Sequence, residues 1–343
     1  DRFEHDSSVS EVADHAHSPV NRLILDSART LGWRAHAAKV NAHDCLRAGT
    51  CGRGCKYGAK RGALQTYLPR ALAAGARLYC NTRVDRIEQG RVHAGDVTID
   101  CDKIILAAGA IGTPTLLQRS GLGNGEVGKH LRLHPTTAVV GIYDRPFYAA
   151  GGIPLTSYCN EFSDLRNGYG HWIESPPLSG GLAAIALPGF GVRHRAYMEK
   201  FPYLAPLMVL VRDGEPTGPS KGRVRARKND VSITYRLGRS DRAALNHGIS
   251  SLTRMHREAG ARETITLHPD GAANCDPALF SAHVNGTCRI SRNASEGACL
   301  PDGRVRECSD VYVLDGSLLP TAPGVNPHET IAAVTMILAE RLK

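Results

Sequence analysis

Near the end of the chain, two short segments carry side chains suited to moving a proton. His283 lies in His283-Val-Asn-Gly-Thr-Cys-Arg289, and Asn326, 43 residues after His283, lies in Gly324-Val-Asn326-Pro327-His328-Glu329-Thr330. Imidazole titrates near neutrality, so a histidine can take a hydroxyl proton and give it back. The second segment reads as a helix start, with Asn326 as N-cap, Pro327 at the first helical position and Glu329 as the capping carboxylate. The positive end of such a helix favours negative charge developing on a bound group. His268, in Leu267-His-Pro-Asp-Gly-Ala272, is a rival histidine 15 residues before His283 and ranks second. Glu174, in Tyr169-Gly-His-Trp-Ile-Glu174, is a candidate carboxylate, and His328 reads as wall. A lone loop histidine is more often structural, and a helix cap accounts for Asn326 without any chemistry. The rest of the chain has to argue for them.

The elements that must position these residues are legible in outline. Lys103-Ile-Ile-Leu-Ala-Ala-Gly109 predicts a strand buried on both faces, running into a helix from about Thr113 to Ser120 with Pro114 at its start. Small residues at such a turn let backbone approach a ligand, although an ordinary strand-to-helix turn looks the same. Val311-Tyr-Val-Leu-Asp315-Gly316 predicts a second buried strand that ends at a cap or a ligand-facing turn. Ser18-Pro19 opens a helix that Gly32 ends, and a second helix is expected from Ala63 to Ala74. Short antiparallel strands are expected at 77–81, 83–88 and 97–100, and residues 136–237 read mostly as strand with one short helix near 193–201. Leu182–Leu187 and Leu204–Leu210 read as core strands or pocket lining. Ser240 caps a long helix whose Leu245, Ile249, Leu252 and Met255 form a core stripe ending at Gly260.

Bulk properties exclude several classes. The 343 residues are 42% hydrophobic, enough for a large core or two domains. The net charge of +9 is scattered and lacks interleaved aromatics, so no nucleic-acid partner is expected. Ten cysteines include Cys45, Cys51 and Cys55, whose spacing does not match paired zinc knuckles, so no metal is expected. Buried thiols or one local disulfide account for them. No apolar run is long enough to span a bilayer, and residues 1–17 are a polar lead-in without the form of a signal peptide. The sequon Asn285-Gly-Thr falls inside the His283 segment, where a glycan would not fit, which points to a cytoplasmic setting.

The string Gly109–Gly123 matches the second signature of the glucose–methanol–choline (GMC) oxidoreductases at every restricted position, and the His283 segment resembles their catalytic-histidine segment. Cys45 to Pro69, Gly128-Lys-His-Leu-Arg-Leu-His-Pro135, Tyr169–Glu174 and Leu210-Val-Arg-Asp213 are similar to the long-chain (fatty) alcohol oxidase branch. The resemblance implies an α+β and α/β flavoprotein fold. An incomplete Rossmann-like FAD domain (18–135 and 271–343) would interleave with an antiparallel-sheet substrate domain (136–270). It implies FAD as cofactor and a small-molecule alcohol, apolar and long-chain, as substrate. The alcohol would be oxidised to the aldehyde by hydride transfer to flavin N5, and dioxygen or another acceptor would take the electrons. His283 would act as acid/base, and Asn326 would bind the substrate oxygen beside the flavin. Val84, Gly109, Thr113, Asp315, Gly316, Asn326 and Pro327 would contact FAD. The family's Gly-x-Gly-x-x-Gly pyrophosphate loop is not found in this sequence, so weak FAD binding is expected. A truncated gene, a split enzyme with its N-terminal half on a separate subunit, and a decayed, inactive fragment all stay open. So do hydroxynitrile lyase chemistry and peripheral membrane contact.

Overall fold

The computed structural model describes residues 2–149, 151–228, 230–267 and 278–342. His268 therefore lies outside the described residues. The chain divides into two units, each assembled from three stretches: Asp1–Arg77, Pro135–Val211 and Ala243–Phe280 in one; Leu78–His134, Arg212–Arg242 and Ser281–Lys343 in the other.

The first unit is built on a six-stranded antiparallel sheet. Its strands run in the order Glu263–Thr266, Thr136–Ile142, Leu204–Val211, His171–Glu174, Ser157–Cys159, Ala35–Ala37. Thr136–Ile142 and Leu204–Val211 are buried at every residue, so their apolar runs are covered on both faces. One cover is the helix Arg239–Glu258, whose Gly248 sits so near Val209 that a Cβ there would come within 2.3 Å of its side chain. Leu245, Leu252 and Met255 are fully buried on this helix, as its stripe predicts. The helix begins at Arg239, so Ser240 is inside it rather than its cap. The helix Pro19–Leu31 has Ser18 as N-cap, accepting the Asn21 amide, and left-handed Gly32 as its stop. Leu182–Leu187 is not a strand. Ser179 caps a helix, Gly180–Ala186, by accepting the Leu182 amide. The second predicted helix shrinks to Tyr67–Ala73, and the short helix near 193–201 spans Gly191–Glu199.

The second unit holds the parallel strand pair Ile104–Leu106 and Val311–Val313, aligned Ile104 to Val311 through Leu106 to Val313. Ile104 and Leu106 are buried while Ile105 is 50% exposed, so this strand covers one face and not the two expected. Three antiparallel strands, Arg86–Glu88, Arg91–Ala94 and Val97–Asp100, form a meander. The expected strand at 77–81 is absent. Gln89-Gly90 and Gly95-Asp96 make two tight hairpin loops, which place the third strand at 91–94 instead. Ile87, Leu117, Val127, Cys288, Val305, Leu318 and Leu338 join the strand pair in one core.

Residues 18–77 group with the six-stranded sheet because Ala35–Ala37 pairs with Ser157–Cys159. Residues 212–242 group with the second unit because the strand Lys221–Ala226 packs on the helix Gly109–Ser120.

Candidate active site

His283 sits in a segment clasped on two sides within the second unit. On one side Arg132 and Asn285 exchange backbone hydrogen bonds of 2.9 and 3.0 Å. On the other, the amides of Gly286, Cys288 and Ile290 donate to the carbonyls of Gly316, Ser317 and Leu318 at 2.8–3.1 Å. Gly286 has φ +81°, and a Cβ there would meet the His130 carbonyl at 2.7 Å, so a glycine is required. The His283 amide donates to the Ser281 hydroxyl at 3.0 Å, and that hydroxyl donates to the Leu133 carbonyl. Asn285 Nδ2 donates to the His283 carbonyl at 2.8 Å.

The side chain of His283 meets a second histidine. His134 Nδ1 lies 3.2 Å from His283 Nδ1, with the rings perpendicular. His134 Nε2 accepts the Gly324 amide at 3.0 Å. Its backbone is left-handed, at φ +50°, a conformation unusual for histidine. Asp213 holds it there: the fully buried carboxylate accepts the His134 amide at 3.1 Å, the Leu133 amide at 3.3 Å and the Tyr235 hydroxyl at 2.8 Å. Burial pushes the Asp213 carboxyl up, against the Tyr235 hydrogen bond. Burial, then His283 and Arg212, bring His134 down to about 3, and burial lowers His283 below the usual imidazole value. Both rings are neutral near pH 7. His134 and Asp213 were not among the predicted site residues. Their signal was the His-Pro of Gly128–Pro135 and the Asp of Leu210–Asp213.

A second cluster joins the ends of the two parallel strands. Asp315 Oδ2 accepts the Gly109 amide at 2.9 Å and the Thr113 hydroxyl at 2.6 Å, and its Oδ1 accepts the Ser317 amide at 2.7 Å. Thr113 also accepts the Ala108 amide at 3.1 Å and is fully buried. Thr113 and Asp315 thus bind each other and the turn. The helix starts at Gly109, four residues before the predicted start, so Pro114 lies inside it and cannot donate to the Ala110 carbonyl. The Thr287 hydroxyl donates to that carbonyl instead, at 2.7 Å.

The last helix runs from His328 to Glu340. Pro327 occupies the cap position predicted for Asn326, because helical bonding starts when its carbonyl accepts the Ile331 amide at 2.8 Å. Asn326 follows the Gly324 loop by two residues and is half-buried, and His328 is exposed. Val84 is 36% exposed in the loop ahead of Arg86–Glu88. Glu174 ends a strand of the first unit and is buried. Among the described residues no three His, Cys, Asp or Glu side chains are grouped to hold a metal.

Family models described as GMC oxidoreductase match residues 1–136 and 219–335. A GMC-type oxidoreductase of Sinorhizobium fredii is 30% identical over 94% of this chain and 68% of its own length. This chain belongs to the GMC oxidoreductase family. A Mycobacterium tuberculosis GMC-type oxidoreductase is 32% identical over 93% of the chain and 54% of its own length. A long-chain-alcohol oxidase of Arabidopsis thaliana is 28% identical over 95% of the chain and 50% of its own. The chain thus spans about half the length of these two curated relatives. Pyridoxine 4-oxidase from Mesorbium loti superposes with a TM-score of 0.73 at 17% identity, covering 96% of this chain and 71% of that one. Formate oxidase of Aspergillus oryzae gives 0.69 at 15%, with the same coverage. These likenesses show a GMC flavoprotein fold.

GMC oxidoreductases are FAD-dependent flavoproteins, and the second unit has features that fit a flavin. Buried Asn285 Oδ1, beside His283, has no hydrogen-bond partner among the described residues and is an acceptor for a ring N–H. Gly109 has φ +75°, with nothing within 4 Å of the place a Cβ would take, so backbone is open to a ligand there.

Proposed function

We propose that this chain carries the alcohol-oxidising end of an FAD-dependent GMC enzyme, with His283 handling the hydroxyl proton and a long-chain, apolar primary alcohol as substrate. One observation carries the reading: a neutral, largely buried histidine, clasped on both sides by backbone, with Nδ1 committed to His134. That leaves Nε2 as the nitrogen that can meet a substrate oxygen. FAD, when bound, supplies the hydride acceptor. Gly109, Gly316, Asn326 and Pro327 would hold it, with Val84 toward its adenine. Thr113 and Asp315 would act from behind by fixing the Gly109 turn. The first turn of His328–Glu340 would favour negative charge on the reduced ring. Partial burial of His283 would strengthen a hydrogen bond to the reacting oxygen. The electron acceptor is dioxygen or another oxidant.

Similarity to the Arabidopsis long-chain-alcohol oxidase supports the substrate class. The test is a series of primary alkanols with the FAD-loaded protein. kcat/KM should rise about fourfold per methylene, from roughly 0.8 kcal/mol for each one buried. A preference for glucose or choline over decanol would contradict the substrate class.

A further inference from the structure

We propose that His134 is a positioning residue that holds neutral His283 in its Nε2–H tautomer, and so links the proton position on His283 to the Gly324 loop. The inference rests on the reading of His283 given above only for its catalytic consequence. The tautomer itself follows from two hydrogen bonds. The Gly324 amide can only donate, so His134 Nε2 must accept and carry no proton. A neutral imidazole has one N–H, so the His134 proton is on Nδ1 and points at His283 Nδ1. His283 Nδ1 must then accept, and the proton of neutral His283 is on Nε2.

Two protons on two rings can be arranged otherwise, but at a cost. An open Nε2 on His283, ready to take a proton from an alcohol, requires the protons on His283 Nδ1 and His134 Nε2. The latter would face the Gly324 N–H donor to donor. A doubly protonated His283 would likewise set its Nδ1–H against that of His134. In the resting arrangement His283 therefore meets a substrate oxygen as a hydrogen-bond donor. It becomes a proton acceptor only when the Gly324 amide withdraws. That loop leads two residues later to Asn326 and is itself held, since Arg212 Nε donates to the Ala322 carbonyl at 3.0 Å.

Burial acts on His283, and Arg212 also opposes a charge on His134. Asp213 binds the His134 amide from the backbone side, with Tyr235 and Arg132 beyond it.

Ring nitrogen-15 labelling of histidine in the whole chain, read by long-range proton–nitrogen correlation, reports each tautomer without substrate or cofactor. We expect Nδ1–H on His134 and Nε2–H on His283, assigned by the signals lost in His134→Asn and His283→Gln. His134→Gln keeps an acceptor for the Gly324 amide but loses the donor to His283. It should let His283 populate both tautomers and raise its titration midpoint by about one pH unit. His134→Asn, which keeps a donor at the Nδ1 position and tolerates left-handed backbone, should restore the wild-type His283 pattern. Nδ1–H on His283 in the wild-type protein overturns the proposal, and so does an unmoved midpoint in folded His134→Gln. The wild-type spectrum decides alone if a variant does not fold. Undiminished flavin reduction by His283→Ala would instead remove the catalytic reading and leave the tautomers standing.

Discussion

His283 sits where its own charge is disfavoured. Burial lowers its basicity, and the contact with His134 ties one nitrogen. In FAD-loaded protein supplied with the family's pyrophosphate-binding segment, His283→Ala should lower the rate of flavin reduction by about 10²–10⁴, the usual worth of a positioned acid–base group. His268→Ala should cost far less. Stopped-flow reduction of both variants checks this, and equal losses would move the role to His268 or divide it. In the sequence His283 stands out because its neighbours Gly286, Thr287 and Cys288 form a distinctive string. His134 carries no signal of its own within Gly128–Pro135, because its contact is with a partner 149 residues away. Asp213 was missed likewise, since its bonds go to backbone amides that no spacing reveals.

At the scale of elements, the strand-to-helix turn at Gly109 is the joint that brings the segments together. The string Gly109–Gly123 predicted a strand, a turn and a helix, and all three are there. Its helix start was misjudged because Thr-Pro is a common helix opening, whereas here the proline stands within the first two turns and its missing N–H is offset by Thr287. That compensation predicts a coupled pair. Thr287→Val should destabilise the fold by about 1–3 kcal/mol, because it leaves the buried Ala110 carbonyl unpaired. In a Pro114→Ala background the helix supplies its own N–H to that carbonyl, so the same substitution should cost much less. Urea unfolding of the four proteins measures the difference; additive losses would mean that Thr287 does not serve the proline. Helix caps at Ser18 and Gly32 were readable because their signals are local. The helix Gly180–Ala186 was not, because its apolar run suits a strand as well as a helix.

For the whole molecule, periodicity does not reveal interleaving: each unit gathers three stretches of chain, and pairings such as Ala35–Ala37 with Ser157–Cys159 depend on partners far along the sequence. Both units bury neutral histidines. Burial brings His134 and His171 down to about 3 and His256 to about 4, from the usual imidazole value of about 6.5. Below about pH 6.5 the unfolded chain binds protons that these folded sites refuse, so stability falls as pH falls toward 4. Between pH 7.5 and 5.5 the three together should cost about 4 kcal/mol, read from urea midpoints at each pH. A stability unchanged over that range would mean these rings are solvated or charged in the fold. On the reading proposed above, the histidine pair serves alcohol oxidation on a bound flavin. Its most direct test is anaerobic addition of decanol to the FAD-loaded protein while the flavin absorbance is followed. Stoichiometric bleaching with decanal formed is expected, abolished or slowed at least a hundredfold in His283→Ala. A flavin that stays oxidised in the presence of decanol and other primary alcohols would contradict it.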